Sequence, residues 1–206
     1  MRSAETLSSL TNAVLHQTGW FACVLGAAWG WGFAGAALAL ALTGLHLALA
    51  QRPGRELPLL AAAAVVGLTV DSFHAGFGVL AFNGHEAGTL APLWIVALWA
   101  QFATVLHFCM RWLSRRYVLA SVLGLVGGPM SFLAGERLCA ATFGEPRIAS
   151  MALLGLTWSV ALPLLVAFAD RLGEGGPYRI FVRKPYQSNQ SPIVLDRAIN
   201  QTLKGV

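Results

Sequence analysis

The sequence predicts an all-α polytopic membrane protein, a bundle of six transmembrane helices with both termini in the cytoplasm. Three observations predict it. The apolar run over residues 14–50 is interrupted only by Trp29-Gly30-Trp31-Gly32. At about 1.5 Å per helical residue it far exceeds the roughly 30 Å hydrocarbon slab, so it must fold back as a pair of spans. Charged residues make up only 11% of the chain and hydrophobic ones 56%, whereas soluble domains carry about a quarter charged residues. Finally, Lys and Arg segregate by side. Counting alternate sides of the spans puts Arg2, Arg52, Arg55, Arg111, Arg115, Arg116, Arg171, Arg179, Arg183, Lys184, Arg197 and Lys204 together, opposite Arg137 and Arg147, and the positive-inside rule assigns the richer side to the cytoplasm.

Six stretches have spanning length: residues 11–28, 31–50, 59–81, 92–113, 118–135 and 148–169. All are solidly apolar instead of alternating, so helices, which satisfy their own backbone in lipid, are expected and a barrel is not. The first has one nearby positive charge, no small-residue cleavage site and a second span directly behind it, so it is expected to stay as a span. Polar breaks such as Gln51-Arg52-Pro53-Gly54-Arg55-Glu56 and Ser114-Arg115-Arg116 separate them, which predicts sequential antiparallel neighbours. Trp29, Trp31, Trp94 and Trp112 fall near span ends, where an indole anchors at the headgroups. Residues 1–170 form the membrane domain. Residues 171–206, opening on Gly173-Glu174-Gly175-Gly176-Pro177, form a polar, basic cytoplasmic tail too poor in apolar residues to build a core. No repeat marks an inverted-repeat transporter.

The basic balance of +5 lies in short clusters between spans and reads as topology, so nucleic acid is excluded as a partner. Cys23, Cys109 and Cys139 have no paired spacing and are expected as free thiols. Walker, dinucleotide and nucleophile-elbow motifs are absent from the sequence, and no cofactor or metal is predicted.

The candidate chemistry lies within the spans. Gly67, Asp71, His74 and Gly78 follow a four, three, four spacing, one helical stripe with Asp71 near mid-membrane. An unpaired carboxylate there costs several kcal/mol, which makes Asp71 and His74 the first candidates, either as a functional pair or as a tie between helices. Asn12, His16, Gly19, Cys23 and Gly26 share a face of the first span, and Gln101, Thr104 and His107 a broad face of the fourth. His16 and His107 fall at similar depth and could converge on a cavity. Gly124, Gly128, Ser131 and Gly135 form a small-residue ridge for packing or a cavity on the fifth span, which Pro129 should kink. His85 and Glu86 could join Glu136 in a polar outer rim.

Several strings carry a resemblance: Gln17-Thr18-Gly19-Trp20-Phe21-Ala22-Cys23-Val24, Asp71-Ser72, Pro92-Leu93-Trp94-Ile95 with Leu98-Trp99 and Phe102-Ala103, and Gly127-Gly128-Pro129-Met130-Ser131-Phe132-Leu133-Ala134-Gly135. From residue 12 to residue 170 the chain resembles an uncharacterised family of small bacterial multi-pass inner-membrane proteins, known only as a domain of unknown function. Members tend to be encoded near genes for fatty-acid modification and oxidative stress, so the resemblance implies a lipid connection. It carries over no catalytic residues, and the tail beyond Gly173 is longer than the family's.

The leading expectation is therefore a non-catalytic helper of the bacterial inner membrane, binding a lipid or a partner and linked to lipid modification or stress. Its expected partners are membrane lipids and a membrane or cytoplasmic protein engaged through residues 171–206, with a homo-oligomer left open. Two alternatives stand beside it: an enzyme acting on acyl chains with Asp71, His74 and His107 as metal or acid/base groups, and a small proton-coupled transporter in which Asp71 and His74 relay protons.

Overall fold

A computed structural model describes residues 2–50, 52–83 and 90–173, with side chains from Thr6 onward. Six α-helices carry the fold: α1 (Arg2–Ala28), α2 (Gly32–Leu49), α3 (Pro53–Gly76), α4 (Leu93–Leu106), α5 (Tyr117–Arg137) and α6 (Arg147–Gly173). Four of them, α2, α3, α5 and α6, are long and apolar enough to cross a membrane.

The burial pattern is inverted relative to a soluble bundle. Asn12, His46, Glu56, Asp71, His74 and Gln101 are fully buried, while Val65, Val118, Ile148 and Leu164 lie on the outside. Large apolar side chains face outward when the surroundings are lipid, and intramembrane polar groups then turn to the helix interfaces. On α1 the buried stripe is Ser8, Asn12, Gly19, Cys23 and Ala27, and on α2 it is Gly35, Ala36, Ala39, Thr43 and His46. Both follow the three-and-four spacing of one helix face.

Long-range hydrogen bonds fix the up-and-down arrangement. Asn12 on α1 meets Thr104 on α4 and His46 on α2, and Asp170 on α6 meets Ser114, just before α5, and Tyr117 at its start. These contacts gather the starts of α1, α3 and α5 and the ends of α2, α4 and α6 at one end, called here the basic end for its arginines. At the far end Asn83 Nδ2 donates to the carbonyls of Ala28 (3.3 Å) and Cys139 (3.1 Å). Consecutive helices form three hairpins, α1–α2, α3–α4 and α5–α6. α4 packs against α1, α2 and α3, α6 packs against α3, and α5 rests mainly on α6. Strict neighbour-to-neighbour packing is thus corrected, because α4 and α5 do not pack along their lengths.

Other span boundaries are corrected as well. The third span does not reach residue 81: α3 stops at Gly76, and Leu80–Phe82 forms strand β1, antiparallel to β2 (Ala141–Phe143) in the register Leu80↔Phe143, Ala81↔Thr142, Phe82↔Ala141. Leu80 and Phe82 point inward and Ala81 outward, so this ribbon caps the far end with one apolar face. Gly78, at φ +68°, lies in the turn before it and not on the helical stripe. Asp71 consequently sits five residues from the far end of α3, not at mid-helix. The fourth span divides too. α4 has 14 residues, about 21 Å, and ends before His107; a single 3-10 turn at Arg111–Leu113 follows. α6 continues three residues past the expected boundary at 170, to Gly173, and the remainder of the tail lies outside the described residues. Trp29, Trp31 and Trp112 are exposed at helix ends, but Trp94 is buried against Phe82, ring centroids 5.7 Å apart. It is a core residue of the far end, not an anchor.

Candidate functional site

Because α4 and α5 part company, a cleft of about 450 Å³ opens between the α1–α4 wall and the α5–α6 wall. Trp20 lines one side, Ile95, Leu98, Trp99 and Phe102 the next, Leu123, Gly127, Gly128 and Phe132 the third, and Trp158 and Leu162 the fourth, with Met110 and Trp112 at the basic end. Along α5 the lining spans Leu123 to Phe132, about 13 Å of helix. Its volume falls within the few hundred to a thousand Å³ of small-molecule sites, and its apolar, aromatic lining matches theirs.

Glycines set its walls. A Cβ at Gly67 would fall 2.0 Å from Cγ of Trp99, and one at Gly128 2.5 Å from Cγ of Trp158. The two indoles seated on those glycines stack on each other with centroids 4.4 Å apart, and Phe102 meets Trp158 edge-on at 5.7 Å. Gly124 lets the Trp158 carbonyl approach α5, whereas a Cβ at Gly127 or Gly135 would meet nothing within 4 Å. The expected ridge therefore divides: Gly124 and Gly128 hold α6 close, while Gly135 meets open space, as does Gly127 beside the ridge. Pro129 is buried beside Gly155, and Ser131 lines the cleft.

Two polar atoms lie buried among the cleft-lining side chains. His16 Nδ1 and Trp158 Nε1 have no hydrogen-bond partner among the described residues. Unpartnered ring nitrogens in an apolar cleft are orienting groups for a ligand. Gln101 packs on Gly19 and donates from Nε2 to the Leu15 carbonyl at 3.0 Å.

Asp71 and His74 lie behind the cleft's aromatic wall. Asp71 Oδ2 accepts the Trp99 indole N–H at 2.6 Å, Oδ1 meets His74 Nδ1 at 3.3 Å, and His74 Nε2 meets Thr157 Oγ1 at 3.1 Å. Thr157 can give its proton to His74 or to the Leu154 carbonyl at 2.8 Å, so the imidazole is satisfied neutral or charged. This row joins α3, α4 and α6.

His107 is elsewhere. It caps α4 at the basic end and pairs through Nε2 with the Ala169 carbonyl at 3.0 Å. From the start of α3, also at the basic end, Asp71 is about 27 Å along the helix. The trio Asp71, His74 and His107 is not assembled, and His16 and His107 line different cavities at different depths, which corrects the expected convergence. Among the described residues no three of His, Cys, Asp and Glu are grouped to hold a metal. His85 and Glu86 lie outside the described residues. Glu136 pairs with Arg147, at 2.5 and 3.2 Å, and accepts the Phe143 N–H.

A second buried pair went unmarked in the sequence: His46 Nε2 and Glu56 Oε2 are in hydrogen-bond contact, both side chains inaccessible. Asn12 Nδ2 donates to the Thr104 carbonyl at 3.2 Å and lies 3.4 Å from His46 Nδ1. An N–H₂ facing Nδ1 leaves that nitrogen as an acceptor and puts the ring proton on Nε2, aimed at Glu56. The signals available were the Thr43–His46 spacing on one face of α2, and Glu56 as the sole acid between Glu5 and Asp71. Also unmarked were Trp99, Trp158 and Thr157 as site residues, and Asp170, which accepts Ser114 Oγ (2.5 Å), Arg115 N–H (2.9 Å) and Tyr117 OH (3.1 Å).

No curated protein and no solved structure matches the chain. The model of one family, described as "Protein of unknown function (DUF2878)", matches residues 9–164, a stretch that contains the cleft lining and both buried pairs. The chain belongs to this family of proteins of unknown function.

Proposed function

We propose that this chain is a six-span protein of the bacterial inner membrane, both termini cytoplasmic, which binds the apolar chain of a lipid in the cleft between α1–α4 and α5–α6 and serves as a non-catalytic helper. The cleft carries the reading. It is elongated along the helices, lined by apolar and aromatic side chains, and backed by an outer surface built for lipid. An open apolar cleft facing the hydrocarbon is filled by what the bilayer supplies, and an acyl chain matches its length and lining. The separation of His107 from Asp71 and His74 favours binding over catalysis, since the groups required for chemistry on the chain do not meet.

Lipid retained by the protein after mild detergent extraction tests it, comparing the wild type with Gly127→Leu. That position offers open space to a side chain, so the leucine fills the cleft without disturbing the helices. Retained lipid should fall several-fold with thermal stability unchanged. Equal lipid in both proteins would refute the reading.

A further inference from the structure

At the basic end a second, smaller cavity of about 160 Å³ is lined by His107, Arg111, Ser114, Arg115, Asp170 and Gly173, and Met110 lies in the wall of both cavities. Resting on the reading of the cleft as a chain-binding site, we infer that the ligand is an anionic phospholipid, its acyl chain in the cleft and its phosphate in this polar pocket beyond Met110.

Charge and continuity carry the inference. Among the described residues the guanidinium groups of Arg111 and Arg115 have no hydrogen-bond or ion-pair partner. Asp170, the acid in the pocket, has its lone pairs occupied by Ser114 Oγ, the Arg115 N–H and the Tyr117 hydroxyl. Among the described residues, two arginines against one committed carboxylate make the pocket net positive with donors to spare, and guanidinium forks match phosphate oxygens. The apolar cleft ends at Met110 and Trp112, and the polar pocket starts at Met110 and Arg111. The change from apolar to basic lining thus occurs within two residues, as the boundary between tail and headgroup does in a lipid. A zwitterionic headgroup brings its own cation to the arginines and gains less.

The full-length protein in nanodiscs of neutral lipid, titrated with phosphatidylglycerol or phosphatidylcholine carrying brominated acyl chains, tests this through quenching of the cleft tryptophans. The wild type should be half-quenched at about tenfold less brominated phosphatidylglycerol than phosphatidylcholine, the worth of one charge-assisted hydrogen bond. Arg111→Gln/Arg115→Gln should abolish that preference while quenching by either lipid persists, and both side chains are exposed enough to be replaced without unfolding. Gly127→Leu should lose the cleft component of quenching by both, leaving only that of the exposed Trp29, Trp31 and Trp112. Quenching without headgroup preference in the wild type overturns the inference and leaves the cleft reading intact; no quenching beyond that of Gly127→Leu overturns the cleft reading itself. If millimolar inorganic phosphate erases the preference, the pocket belongs to free phosphate and the lipid assignment fails.

Discussion

The indole N–H of Trp99 donates to Asp71 Oδ2 at 2.6 Å while its ring stacks on Trp158 at 4.4 Å. One side chain is therefore both the partner of the most deeply buried acid and a wall of the cleft. Trp99 is seated against Gly67, one turn from Asp71 on the same face of α3. The carboxylate orients the ring, and the glycine admits it.

Asp71→Ala should remove about 3–5 kcal/mol of stability, because it leaves the Trp99 N–H and His74 Nδ1 buried and unpartnered. Asp71→Asn keeps one acceptor oxygen and most of the volume, so it should lose less than half as much. Unfolding in detergent micelles followed by tryptophan fluorescence reads both the stability and the freed indole. Equal losses for the two variants would mean that Asp71 contributes only its bulk.

Substitutions at neighbouring glycines of α5 should separate cleanly. Gly128→Ala forces a methyl onto the Trp158 ring and should cost about 1–3 kcal/mol by overpacking. Gly127→Ala, one residue away, meets nothing within 4 Å and should gain a few tenths of a kcal/mol from helix propensity. Thermal melts of the pair in one detergent decide it, and a larger loss at Gly127 would contradict the division of the ridge described above.

At the basic end, Glu56→Gln should be tolerated and Glu56→Ala should not. A glutamine oxygen still accepts the His46 Nε2–H and removes a buried charge, which is often neutral or stabilising. The alanine leaves His46 Nε2–H unpartnered and a cavity behind it, at about 3 kcal/mol. Nitrogen NMR of labelled histidine should show a proton on His46 Nε2. A ring whose proton sits on Nδ1 with Nε2 bare would contradict the contact of Nδ1 with the Asn12 amide.

The bundle was legible because apolar length and helical spacing are local properties. The α1 stripe of Asn12, Gly19 and Cys23 and the one-turn contact of Asp71 with His74 follow from the 3.6-residue period alone. What each stripe faces does not. The pairing of His46 with Glu56 needs α2 and α3 to bring their ends together around residue 51, and the cleft exists because α4 and α5 decline to pack, a feature of tertiary arrangement without a local signature. Trp94 misled for a related reason: its place at a helix end suggested the interface, but β1 folds back over it with Phe82. The break of α4 at His107 lay inside an apolar run, where composition gives no stop signal.

The native cysteines test the topology without any fusion. Cys139 is exposed in the turn before β2, at the far end, whereas Cys23 is buried with its thiol on the Gly35 carbonyl. With the basic end in the cytoplasm, a membrane-impermeant maleimide added to spheroplasts should label the protein at Cys139, and Cys139→Ser should abolish that labelling. A fluorescent protein fused after Val206 should light up inside the cell, because α6 ends on the side opposite Cys139. Labelling of Cys139 only after the membrane is opened would reverse the orientation and move the Arg111 and Arg115 pocket to the other leaflet. That pocket would then draw its lipid from the opposite monolayer, so the position of one thiol decides which face of the membrane supplies the ligand.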